Sequence, residues 1–269
     1  MHLFLITNKT MYQKELEVAL SAAKKASKVI MEVYNSGNLG VEIKSDNSPV
    51  TKADKAADKI IREELSKAFP SYSLLTEESV DNLERLNNDY CWVVDPIDGT
   101  KDFVAHDDEF SVNIGLVYKH VAVLGVIIAP VTGDIYYAIK NEGAFSIKNG
   151  ITTRLKVSNK TKDLICVTSR FHFNTNEQAL IDKNKDRIGK LVTIGSTLKG
   201  CAIASGEADI SYRVTDNTKE WDTCAMQVIL EEAGGYVLKF DGTPIRYNRK
   251  EVRNLGGFVI CNSIENFII

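Results

Sequence analysis

The sequence predicts a mixed α+β and α/β fold of two lobes, residues 1–155 and 156–269, with a functional site between them. Two observations carry this. Two helical segments are followed, up to about residue 150, by short apolar runs separated by turn residues, as in an antiparallel meander. Beyond about residue 160, apolar runs and helical patterns alternate instead.

Taken in order, residues 12–35 place Leu16, Ala19, Leu20, Ala23, Ala26, Ile30 and Val33 at helical spacing, and Gly37 supplies a stop. Lys44-Ser-Asp-Asn-Ser-Pro49 reads as a polar loop. Thr51 reads as the N-cap of a second helix whose buried face is Ala57, Ile60, Ile61, Leu65 and Ala68, and Pro70 ends it. Ser73–Leu75 and Tyr90–Val94 are short apolar runs. Phe110, Val112, Ile114, Leu116 and Tyr118 alternate with other residues, which predicts a half-buried strand. Val121–Ala129, Ile135–Ile139 and Ala144–Ile147 continue as strands. Further on, strands are predicted at Leu164–Thr168, Val192–Ile194, Ala208–Tyr212, Tyr236–Phe240 and Phe258–Cys261. Helices are predicted over 176–189, Ser196–Ala204 and Asp222–Ala233.

Composition narrows the class of protein. The chain is 44% hydrophobic and 26% charged, as in ordinary globular proteins. A net charge of −3 without a basic stripe argues against polymeric nucleic acid as a partner. The five cysteines have no CxxC spacing and read as buried free thiols of a reducing compartment. Met1-His-Leu-Phe-Leu-Ile lacks a basic region and a cleavage site, and Met11 offers an alternative start. Val121–Val131, the longest apolar run, is too short to span a bilayer. A cytoplasmic protein, monomeric or homodimeric, is expected.

Three segments place carboxylates after apolar runs: Thr76-Glu77-Glu78-Ser79, Asp95-Pro96-Ile97-Asp98-Gly99-Thr100 and Glu220-Trp221-Asp222-Thr223. Carboxylates leaving a strand gather at the sheet edge, where sites form. Two of them as close as Asp95 and Asp98 repel each other unless a cation lies between, and hard divalent ions such as Mg²⁺ take such oxygen ligands. Taken singly, each segment has an ordinary reading. Asp-Pro and Asp-Gly form turns, and Asp54 and Asp222 suit the first turn of a helix. Glu77 and Glu78 suit a solvated acidic turn.

Together the segments resemble, in order and spacing, the three signatures of the inositol monophosphatase superfamily of lithium-sensitive phosphatases. That resemblance implies a layered α/β/α/β/α sandwich and hydrolysis of a small phosphate monoester. It implies two or three Mg²⁺ ions held by Glu77, Asp95, Asp98, Asp222 and the carbonyl of Ile97, and inhibition by Li⁺. It also implies that Thr100, paired with Asp54, positions and deprotonates the attacking water. Gly99 and Thr100 would offer main-chain N–H groups to the phosphate. Glu78 has no assigned role.

Within that superfamily the chain is most similar to the 3′(2′),5′-bisphosphate nucleotidases of the CysQ type. The similarity lies in the Lys44–Thr51 loop, Lys101-Asp102-Phe103, Phe110–Leu116, Ser169-Arg170-Phe171-His172, Gly195-Ser196-Thr197-Leu198-Lys199 and Tyr212-Arg213. It implies that Ser169, His172, Ser196, Lys199 and Arg213 hold a nucleotide bisphosphate. A second phosphate needs cations of its own, and Lys199 and Arg213 supply them. Asp216-Asn-Thr-Lys-Glu220 departs from the Gly-Pro-Thr-Asn-Ile usual in that type. The alternatives are an inositol monophosphatase or broad sugar phosphatase, and a non-catalytic nucleotide-binding protein on the same scaffold.

Overall fold

The computed structural model describes residues 11–44 and 48–269; the apolar N-terminal run and Ser45–Asn47 of the polar loop lie outside the described residues. Helix α1 (Gln13–Ser36) and a short hairpin, β1 (Glu42–Ile43) and β2 (Pro49–Val50), precede α2 (Lys52–Ala68). Thr51 caps α2 in a capping box: its hydroxyl accepts from the N–H groups of Ala53 and Asp54, while the Asp54 carboxylate accepts from the main-chain N–H of Thr51. The facing helix surfaces are rich in alanine. Ala19, Ala22, Ala23 and Ala26 of α1 and Ala53 and Ala57 of α2 are fully buried, which brings the helices close together.

The central sheet runs β3 (Ser73–Thr76), β4 (Tyr90–Asp98), then, after the one-turn helix α3 (Thr100–Ala105), β5 (Ser111–Tyr118), β6 (Val121–Ala129), β7 (Asp134–Ile139), β8 (Gly143–Lys148) and β9 (Ile151–Arg154). It is the expected antiparallel meander, with β3 added in parallel to β4. Strand β9 was not anticipated because all four of its residues are exposed and carry no apolar pattern.

A second sheet follows from β10 (Leu164–Thr168), α4 (Thr175–Lys183), β11 (Ile188–Thr193), α5 (Leu198–Ala204), β12 (Ile210–Arg213), α6 (Glu220–Glu232), β13 (Tyr236–Lys239) and β14 (Phe258–Cys261). Its order is β11-β10-β12-β14-β13, parallel among the first three strands and antiparallel thereafter. The helix predicted over 176–189 stops at Lys183. Asn184 turns its side-chain amide back onto the carbonyl of Leu180 at 2.8 Å and closes the last turn, which frees Ile188–Thr193 to become an edge strand. The predicted strand at Val192–Ile194 catches only its end.

Three apolar clusters define the layers. Residues of α1 and α2 pack on one face of the central sheet, against Trp92, Val112, Ile114 and Leu124. Residues of α5 and α6 fill the space between the two sheets, where Val93 and Ile127 meet a cluster that also holds Met226 and Ile260. Ile181 of α4 joins the far face of the second sheet. The result is the α/β/α/β/α sandwich. It also corrects the expectation for β5, whose residues are buried on both faces from Ser111 to Val117, because helices cover both sides of the sheet.

The close seating of α6 on the sheet depends on glycine. A Cβ on Gly125 would lie 2.2 Å from the main-chain oxygen of Ala225, so any larger residue would push α6 away. Among the described residues no helix is long and apolar enough to cross a membrane. All five cysteines are free and buried.

Candidate active site

A cleft of about 610 Å³ opens where the end of β4, the start of α5 and the start of α6 converge. Its floor is acidic. Strand β4 carries Asp95 to the sheet edge, and Gly99 then turns the chain with φ +89°, a left-handed conformation natural to glycine. Asp222 arrives from the first turn of α6. One carboxylate oxygen from each of Asp95, Asp98 and Asp222 falls within 4.8 Å of the others.

Each carboxylate is also fixed by a protein donor. Asp95 accepts from the N–H of Ile97 at 3.1 Å, and Asp222 from the N–H of Lys219 at 2.7 Å. Asp98 accepts from both the N–H and the hydroxyl of Thr197. Burial and the neighbouring charges of Glu77, Asp98 and Asp222 push Asp95 well above the usual carboxylate range. Burial and the charges of Asp98 and Glu77 push Asp222 up to about 8. This self-repelling set of hard oxygen donors fits a divalent cation such as Mg²⁺.

Glu77 lines the same cleft but is not part of the tight trio. Its carboxylate sits 3.0 Å from the ammonium of Lys44, which also holds Glu78 at 2.5 Å. Glu78 does not line the cleft, and burial together with Glu77 raises it to about 6.

Behind the acidic floor, Thr100 places its hydroxyl 3.3 Å from Asp54 and 3.2 Å from the carbonyl of Ile97. Asp54 is buried. Its Oδ2 is occupied by the N–H and hydroxyl of Thr51, at 2.7 and 2.5 Å, and its Oδ1 faces Thr100. The helix-cap reading of Asp54 and its pairing with Thr100 therefore hold together, one through each oxygen. Burial is the main cause that raises Asp54 above the usual range.

The same cleft is also lined by the basic residues Lys199 and Arg213. Lys199 reaches from α5 toward the carbonyls of Ile194 and Ser196, at 3.4 and 2.5 Å, and burial lowers it to about 8. Ser196 has φ +49°, an uncommon conformation for a residue with a side chain. Arg213, buried at the end of β12, is already paired with Glu177 at 2.7 Å and donates to the carbonyl of His172 at 3.0 Å. Ser169 and exposed His172 form the rim, with the Ser169 hydroxyl accepting from the N–H of His172.

Sequence reasoning missed several cleft residues, among them Thr197, Asp102, Lys219 and Arg253. Asp102 is pushed to about 6 by burial and by Asp98. Its signal was its position on the turn of α3 after Asp98. The departure at Glu220 has a structural explanation. Its fully buried carboxylate accepts from the N–H groups of Asn248 and Arg249, at 2.6 and 2.9 Å, and pairs with the Arg249 guanidinium, anchoring the start of α6.

Comparison with known proteins agrees with this architecture. Residues 11–262 match the inositol monophosphatase family. The chain is 36% identical over 247 residues to the 3′(2′),5′-bisphosphate nucleotidase CysQ of Buchnera aphidicola, covering 91% of this chain and 92% of that one. It is 34% identical over 238 residues to the protein of the same name from Escherichia coli K12, covering 88% and 95%. Among solved structures, CysQ from Bacteroides thetaiotaomicron superposes with a TM-score of 0.81 at 32% identity, covering 94% of this chain and 98% of that one.

Proposed function

The chain belongs to the inositol monophosphatase family, and from that premise we propose that it is a Mg²⁺-dependent 3′(2′),5′-bisphosphate nucleotidase converting 3′-phosphoadenosine 5′-phosphate to AMP and phosphate. One observation carries the substrate. One cleft is lined both by an acidic trio, Asp95, Asp98 and Asp222, and by two basic residues, Lys199 and Arg213. A monophosphate occupies the first feature and leaves the second unused; a bisphosphate uses both.

Glu77, Asp95, Asp98, Asp222 and the carbonyl of Ile97 would hold the cations. Bound there, they would supply charge neutralisation for the phosphate and a lowered pKa for water. Thr100 is suited to orient the attacking water through its hydroxyl, and Asp54 to receive the proton through Thr100. The water oxygen bonds to phosphorus as the bond to the ribose 3′-oxygen breaks, and that oxygen leaves with a proton drawn from solvent. Gly99 and Thr100 line the cleft, and their main-chain N–H groups are assigned to the phosphate. Lys199, with Ser196, Ser169, His172 and Arg213, is assigned to the 5′-phosphate and the adenosine.

Phosphate release across 3′-phosphoadenosine 5′-phosphate, 3′-AMP and inositol 1-phosphate tests this reading. The bisphosphate should be turned over with the highest kcat/KM, only with Mg²⁺ present. A preference for inositol 1-phosphate would replace it with the inositol-phosphatase reading. Tight bisphosphate binding without phosphate release would make the protein a binding module. A second expectation concerns Li⁺, a competitor for a site built to take Mg²⁺. Turnover should fall in LiCl and stay unchanged in an equal concentration of NaCl, and equal rates in the two salts would contradict it.

A further inference from the structure

We propose that Thr197 is a positioning residue that sets the cation affinity of Asp98 and ties it to the anion-binding arm of the cleft. This rests on the reading of Asp98 as a cation ligand. Thr197 belongs to none of the three acidic signatures, yet its main-chain N–H and its hydroxyl both donate to Oδ2 of Asp98. With that oxygen held twice, the carboxylate cannot rotate, and its second oxygen keeps a fixed aim.

The Thr197 hydroxyl is itself directed. The side-chain amide of Asn113 donates to it at 3.0 Å, and the hydroxyl of Ser111 donates to the Asn113 carbonyl oxygen at 3.0 Å. Once the Thr197 oxygen accepts from Asn113, its single proton is free to point at Asp98. Ser111 and Asn113 are fully buried, and they stand opposite Asp98 and Asp95 in the ladder between β4 and β5. A donor chain thus runs from the inner face of the central sheet to a proposed ligand. Buried polar chains of this kind hold one arrangement because each member left unpaired is costly.

Thr197 also touches a second ligand segment, since its hydroxyl lies 3.2 Å from the main-chain oxygen of Asp222. It sits between Ser196 and Lys199, so the arm assigned to the second phosphate is pinned to the acidic floor at this one residue. Cation binding at Asp98 and anion binding at Lys199 are therefore coupled through Thr197. Partners that orient a metal ligand in this way typically contribute about 10–100-fold to metal affinity.

The test is titration calorimetry of substrate-free protein with Mg²⁺ and with Mn²⁺, alongside the cation-induced rise in melting temperature. Thr197→Val keeps the shape and the main-chain N–H but loses the hydroxyl. It should bind cations about 10–100-fold more weakly, and at saturating cation it should show a raised KM for the bisphosphate. Thr197→Ser should bind like wild type. If valine is not tolerated at this position, Thr197→Ala removes the same hydroxyl with less bulk and is judged by the same criteria. Unchanged cation affinity without the hydroxyl, or a serine variant as weak as the valine one, overturns the proposal. Asp98→Asn separates the two levels of argument. If it abolishes cation binding while Thr197→Val does not, only the role of Thr197 fails. If it leaves binding intact, the assignment of Asp98 fails and the role of Thr197 fails with it.

Discussion

Asp95→Asn is expected to abolish phosphate release while leaving the protein folded. Asp95 is the most enclosed of the three clustered carboxylates, 1% exposed, and it feels Glu77, Asp98, Asp222 and Asp54 at once. Neutralising it removes a charge that the cations require, and the amide cannot replace that charge. Charge stabilisation and activation of water by bound metal are together worth several kcal/mol. At about 1.4 kcal/mol for each factor of ten, the loss in kcat should reach at least about a thousandfold. The fold should respond in the opposite direction. Without metal, Asp95 is held above the usual carboxylate range by burial and like charges, so its ionised form opposes folding at neutral pH. The asparagine variant should therefore melt at the same temperature as metal-free wild type or higher, and should gain less on adding Mg²⁺. Circular dichroism melts with and without Mg²⁺ and a phosphate-release assay check both halves. Near-normal turnover at saturating Mg²⁺ would remove Asp95 from the ligand set.

Much of the acidic floor was legible because its signals are local. A strand ending in Asp95-Pro96-Ile97-Asp98-Gly99 needs only the stiffness of proline and the left-handed glycine to aim two carboxylates at one point. Thr51 and Asp54 were legible for the same reason, being neighbours in a capping box. What stayed hidden depends on layers that meet only in the fold. Asn113 reads as an outward residue of an alternating strand, but α5 and α6 cover that face and make it a buried donor to Thr197. Thr197 and Asp98 are 99 residues apart, and nothing in either segment points to the other. The sequence assigns Arg213 to the second phosphate but gives no sign of its ion pair with Glu177, 2.7 Å away. Its partner comes from the first turn of α4, the helix whose end the sequence also misjudged.

That last contact decides which basic residue should matter most. Lys199→Ala is expected to lower kcat/KM for the bisphosphate by roughly tenfold to hundredfold. A hydrogen bond from a charged group to phosphate is worth about 1.5–3 kcal/mol, and each 1.4 kcal/mol is about a factor of ten. Arg213 enters binding with part of its charge already answered by Glu177, whereas Lys199 donates to the main-chain carbonyls of Ile194 and Ser196, which carry no net charge. Arg213→Ala should therefore cost the substrate less through its charge, and any larger effect would come with a loss of stability from unpaired, buried Glu177. 3′-AMP provides the contrast, because it lacks the 5′-phosphate that Lys199 is assigned to hold. Wild type should use it poorly, and Lys199→Ala should change its rate little. The same lysine gives a pH signature. With its pKa lowered to about 8, the ammonium is fully charged below that value and is lost as pH rises through it. The ratio of kcat/KM for the bisphosphate to that for 3′-AMP should accordingly fall above about pH 8 in wild type. Titrations common to both substrates cancel in that ratio. Lys199→Arg, whose charge persists at every accessible pH, should hold the ratio flat. Equal losses on both substrates in Lys199→Ala would show that the residue supports the cleft rather than the second phosphate, and the bisphosphate reading would fail with it.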